Sequence, residues 1–185
     1  MKKIPVVSLI VIALAALAAL VLIGRKVSGS LHPHDGLVFD TTQVSQVVWL
    51  RVIYQTDTAE LERRSGVWVT VRDGAPAVPE RVERSLHGLL GIRDREQVSM
   101  ADDDARLEDF GIDAADAKQV EWRYASGKTD KVLLGKTSDA DFNSLYWKWP
   151  DRPGVYRTPG DFTYDLASQV EEWKTDGPPP AFQEQ

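Results

Sequence analysis

The chain has 185 residues, 28 Asp and Glu against 22 Lys and Arg, and no cysteine. Without cysteine there is no disulfide framework, no thiol nucleophile and no site for cysteine lipidation. Lys2, Lys3, Arg25 and Lys26 all precede residue 27, so the remainder carries 28 acids against 18 bases, a net of −10. Such a body lacks the clustered cations that hold a phosphate backbone, which argues against nucleic-acid binding. Solubility alone accounts for the acidity.

Ile4 to Ile23 is a run of twenty uncharged residues, of which thirteen are Leu, Ile or Val and five are Ala. At about 1.5 Å per helical residue it spans roughly 30 Å, the thickness of a bilayer's hydrocarbon core. Insertion of the branched aliphatics gains roughly 4 to 8 kcal/mol, with small costs at Pro5 and Ser8. A cleaved signal peptide has a shorter apolar region, usually about 7 to 15 residues. Residues 1–26 therefore read as an uncleaved single-pass anchor that contacts the bilayer through residues 4–23. The flanking charges are nearly balanced, and the large body after the span favours a cytoplasmic N-terminus and an extracytoplasmic domain. Ala15 and Ala19 have small-xxx-small spacing, a weak pointer to helix pairing.

Residues 27–36, VSGSLHPHDG, form a polar linker by composition. Val44 to Tyr54 is rich in strand-forming Val, Ile, Trp and Tyr. Leu61 to Arg64, Ser65-Gly66 and Val67 to Val71 read as a hairpin. Pro79 opens a helix in which Val82, Leu86, Leu89 and Leu90 share a face before Gly91 ends it. Val98 begins a short connection. Asp102-Asp103-Asp104 precedes a brief helix through Leu107 and Phe110, closed by Gly111. Val120, Trp122 and Tyr124 alternate, and Lys131 to Leu134 follows after a turn. Leu145 to Trp149 and Val155 to Arg157 flank Pro150-Asp151-Arg152-Pro153-Gly154 as another hairpin. Phe162, Leu166, Val170 and Trp173 lie along one side of a predicted final helix starting near Gly160-Asp161. Residues 176–185, with three consecutive prolines, read as a disordered tail.

The order of strands, helix, strands, helix predicts one α+β domain over residues 37–175, mostly antiparallel, with two main helices. That order leaves a division into two related halves open, although no fixed-period repeat is evident.

Gly66-Val67-Trp68, the Pro79–Leu90 helix, Phe110-Gly111-Ile112, Leu133-Leu134-Gly135-Lys136 and Val155-Tyr156 occur in an order that resembles the domain of unknown function (DUF) 4340 family. The resemblance covers about residues 60–173. It implies a domain displayed from the bacterial inner membrane, in some relatives beside ABC-type transport systems. It brings no catalytic residues. Members of that family also occur with several copies, whereas this chain has room for one, which speaks against a multi-copy scaffold role.

Chemistry-bearing motifs are sparse. Gly127-Lys128-Thr129 and Gly135-Lys136-Thr137 lack the preceding glycine of a phosphate loop, with Trp122 and Asp130 at that position, and read as turn residues. His32, His34 and Asp35 offer three metal ligands, but in a linker that does not hold them rigidly. His87 reads as a partly exposed helix residue. Asp102-Asp103-Asp104 lacks the Gly and distal Glu of an EF-hand and reads as a helix cap. No nucleophile, base and orienting group coincide, so no catalytic residue, metal or cofactor is assigned. Trp147 and Trp149 share a strand face with Leu145 and read as core residues against the final helix. The expectation is an accessory or interaction domain with a membrane-protein partner, including ABC-type transporter components. The alternative is an envelope polysaccharide- or peptide-binding module that uses Trp147, Trp149 and nearby tyrosines.

Overall fold

The computed structural model describes residues 37–94, 96–100, 104–140 and 142–175, all within one unit that begins at Asp35. The apolar run at 4–23, the linker with His32, His34 and Asp35, the Asp102-Asp103 pair and the tail lie outside the described residues. Among the described residues no helix is long and apolar enough to cross a membrane.

Asp40 sets the first boundary. Its carboxylate accepts from the Thr42 amide at 2.9 Å and hydroxyl at 2.6 Å, capping a 3-10 helix over Thr41–Gln46. Strand β1 therefore runs Val47–Tyr54 and does not begin at Val44. It turns into β2, Asp57–Arg64, and β3, Val67–Thr70, the expected hairpin. Gly66, at φ +85°, supplies the left-handed turn position that a side chain would resist. Helix α1, Pro79–Leu90, follows as predicted, with Val82, Leu86, Leu89 and Leu90 buried on one face.

Glu96–Ser99 forms β4, where the sequence predicted only a connection. Its Glu-Gln-Val-Ser lacks an apolar alternation, and its partner β8 lies some sixty residues on, so no local signal marks it. Helix α2, Asp104–Leu107, passes into a 3-10 turn at Glu108–Phe110 and stops at left-handed Gly111. Strands β5 (Lys118–Tyr124), β6 (Thr129–Thr137), β7 (Ser144–Lys148) and β8 (Val155–Pro159) complete one sheet of order β3-β2-β1-β5-β6-β7-β8-β4. Every neighbouring pair is antiparallel. Two meanders meet at β1 and β5, and the chain leaving α1 places β4 on the far edge of the second meander.

The predicted second main helix is corrected. Residues 160–175 form an irregular strap with a single 3-10 turn at Val170–Trp173. Its carbonyls are taken by side chains from elsewhere in the fold. Arg81 donates to Tyr164 O, Asp165 O and Glu172 O, Ser85 to Asp165 O, and Lys118 to Thr163 O and Leu166 O. A strap satisfied in this way has no need of the i→i−4 ladder. The two meanders consequently do not each end in a helix.

One sheet face carries Leu50, Val52, Leu61, Val120, Trp122, Leu134 and Trp147 against α1 and the strap residues Leu166, Val170 and Trp173. The three fully buried tryptophans each place their indole N–H on an acceptor. Trp122 donates to the Tyr124 hydroxyl at 2.9 Å, Trp147 to Arg93 O at 2.9 Å and Trp173 to Ala167 O at 2.8 Å. The opposite face is divided. Leu107, Ile112 and Val155 form a small cluster with Phe110, Leu133 and Tyr146, while Glu60, Arg51, Glu121 and Lys131 form a charge ladder across β2, β1, β5 and β6. Partly exposed ion pairs of this kind contribute little each, roughly 0 to 1 kcal/mol.

Candidate functional site

The segment from α2 to the start of β5 crosses one end of the sheet and leaves a cleft on each side. On the charge-ladder face, Ile53, Gln55, Leu107, Ile112, Gln119 and Lys148 line an opening of about 450 Å³. Lys148 is buried there and donates to Arg152 O at 2.6 Å. On the strap side, Tyr54, Glu108, Asp116, Lys118, Lys136 and Thr163 line a second cleft of about 500 Å³.

The second cleft brings together the more versatile chemistry. Lys118 begins β5 on the same face as Val120, Trp122 and Tyr124, so its stem enters apolar surroundings and its ammonium must find acceptors. It finds Thr163 O at 3.0 Å and Leu166 O at 2.9 Å, and it lies 5.7 Å from the Tyr54 ring centroid. Burial draws the Lys118 pKa below the ordinary lysine value, with the Arg81 charge acting in the same sense and Asp161 and Glu172 opposing.

Asp161 anchors the start of the strap. It accepts from the Thr137 hydroxyl at 2.7 Å, the Thr163 amide at 2.9 Å and the Thr163 hydroxyl at 2.5 Å. Burial pushes its carboxyl upward, but the hydrogen bonds from Thr163 and Thr137, with the Lys118 charge, outweigh it and hold the pKa below the aspartate norm.

The glycines of this end are packed closely. A Cβ on Gly135 would collide with the Phe110 carbonyl oxygen and meet an Ile112 side-chain carbon at 2.6 Å. Gly135-Lys136-Thr137 is thus part of strand β6, and its glycine admits the Phe110 backbone; it is not the turn the sequence suggested. Gly127-Lys128 does lie in a turn, with Gly127 at φ +87°, and Thr129 opens β6.

The other singled-out residues are dispersed. His87 is exposed on α1, at the rim of a separate opening beside Thr41, Thr42 and Glu83. Trp147 is fully buried between Trp149 and a stacked Tyr156. Trp149 is half-buried against Phe39, with Arg152 over its ring at 4.6 Å. The pair is therefore core, as the sequence reading favoured, and an aromatic platform at Trp147 and Trp149 is ruled out by the burial of Trp147. Among the described residues the strongly exposed rings are elsewhere, at Phe142 in the β6–β7 turn and at Tyr164 in the strap. Among the described residues no group of three His, Asp or Glu has metal-binding proximity.

Sequence reasoning missed Lys118, Asp161 and Tyr164. A signal for Lys118 was present, because a lysine in register with three alternating apolar residues on a buried strand face must be paired. Asp161-Phe162-Thr163 carried a second signal, since Asp followed two residues later by Thr suits a local side-chain turn as well as a helix cap.

These features define an α+β domain with an open antiparallel sheet, one helix and strap on its apolar face, and a polar cleft at one end. The chain belongs to the family described as Domain of unknown function (DUF4340), which it matches over residues 68–178. No curated protein and no solved structure matches it. The matched span begins in β3, yet β1 and β2 stand between β3 and β5 in the sheet. Residues upstream of the family match therefore supply two strands without which its first and later strands would not be joined.

Proposed function

We propose that this DUF4340 protein is a single-copy, membrane-tethered accessory or interaction domain held on the extracytoplasmic side of a bacterial inner membrane. Its partner is a membrane protein of the same bilayer, with ABC-type transporter components as the first candidates. The observation that carries the reading is the uncharged Ile4–Ile23 run, bracketed by Lys2-Lys3 and Arg25-Lys26, in the same chain as a family match that begins at residue 68. The domain's exposed functional features support binding in preference to chemistry. The strap-side cleft is lined by Tyr54, Lys118, Lys136 and two carboxylates, and Lys118 is already engaged with backbone carbonyls. In this reading the protein is not an enzyme.

A reporter active only outside the cytoplasm, fused after Lys174 in the full chain, tests the topology. The expected result is reporter activity in a membrane fraction that resists alkaline washing. An inactive reporter on a chain that is present in the cells, or release of the chain by the wash, would overturn the reading. Crosslinking in intact membranes, followed by purification in detergent, then asks whether a transporter subunit is attached.

A further inference from the structure

We propose that the strap-side cleft and the adjoining surface of Tyr164 form a binding site for a neutral saccharide. The site stands on the geometry of residues 54–164 and does not depend on the membrane reading.

Tyr164 is 86 % exposed, yet its backbone is fixed. Its carbonyl takes Arg81 Nη2 at 2.8 Å, and the next carbonyl, of Asp165, takes Arg81 Nε at 3.2 Å and Ser85 Oγ at 2.9 Å. A free ring on a clamped backbone loses little conformational entropy when it docks, because only two side-chain torsions remain to be fixed. The depression beside it, of about 260 Å³, shares Lys118 and Thr163 with the larger cleft of about 500 Å³. With Lys118 and Thr163 lining both, the two openings make up the proposed groove, and the larger lies in the size range of small-ligand sites.

The groove's chemistry selects the ligand class. Glu108 and Asp116 present acceptors, Lys136 presents donors beyond its ion pair with Asp139 at 3.3 Å, and the Tyr54 hydroxyl can do either. Lys118 spends two of its three N–H donors on Thr163 O and Leu166 O; the third has no protein acceptor among the described residues. An anion would meet the Glu108 and Asp116 carboxylates. An apolar ligand would strand this many polar groups without partners. A sugar ring matches both features, since its hydroxyl rim exchanges hydrogen bonds with groups of either sign and its C–H face packs on an aromatic ring.

The test is calorimetric titration of the full chain, in micelles of a zwitterionic detergent without a sugar head group, with cellotetraose, maltotetraose and chitotetraose. At least one should bind. Tyr164→Ala should weaken that binding about tenfold with an unchanged unfolding midpoint, because the residue is 86 % exposed. Tyr54→Phe should weaken it by a smaller factor. Affinity that grows from mono- to tetrasaccharide would assign a glycan chain as the natural ligand, and equal affinities would assign a free sugar; both uphold the site. No binding of any tetrasaccharide at millimolar concentration, or binding that Tyr164→Ala leaves intact, would overturn it.

Discussion

Helix α1 and the C-terminal strap present nearly the same apolar spacing and adopt different structures. Val82, Leu86, Leu89 and Leu90 on one, and Phe162, Leu166, Val170 and Trp173 on the other, all face the same core. In α1 the backbone satisfies itself, with Pro79 at the first turn and Gly91 at its end. In the strap, Arg81, Ser85 and Lys118 supply the donors, and Asp161 draws the Thr163 amide into a local turn. Apolar periodicity thus states which residues will be buried; the competition for backbone hydrogen bonds decides the conformation in which they are buried.

The strap's dependence on the core should give the largest effect. Trp173 is fully buried, with its N–H on Ala167 O, so Trp173→Ala should cost about 3 to 5 kcal/mol, read as a lowered urea midpoint. Arg81→Met comes next, at about 2 kcal/mol, since three strap carbonyls lose a charged donor. Hydrogen exchange should then quicken in residues 162–172 while α1 stays protected. Equal loss of protection in α1 would show that helix and strap are a single cooperative unit, and would break the comparison.

Gly88→Ala sharpens the contrast through its sign. In an exposed helix this change stabilises by about 1 kcal/mol. Here the new Cβ would lie 2.5 Å from the Phe162 ring, so a loss of about 1 to 2 kcal/mol is expected in the same unfolding experiment. A net gain would mean that Phe162 is not held against the helix.

The smallest effect is the pH dependence carried by Asp161. Its folded pKa lies below the ordinary 3.8, so its contribution is present above that value and is lost as pH falls through the folded pKa. The stability of the native chain should therefore decline more steeply than that of Asp161→Asn as pH is lowered below 3.8. Parallel curves through that window would remove Asp161 as the strap's anchor.

The sequence by itself determined the elements whose cues are local. The β2–β3 hairpin, α1, the turn closed by Gly111 and the β5–β8 strands all carry alternation, helical spacing or a glycine at the required turn. It also made Trp147 a core residue, because a domain of this size needs large buried groups. Tertiary structure alone decided the rest. It placed polar Glu96–Ser99 at a sheet edge through pairing with β8 and gave Gly135 to the approach of the Phe110 backbone. It withheld the second helix from the strap by bringing Arg81 and Ser85 from some eighty residues away. The groove is the clearest case, since Tyr54, Lys118 and Thr163 meet only when three distant segments converge. Short-range patterns encode burial and turns, whereas hydrogen-bond partners and sites depend on which distant groups the fold brings within reach.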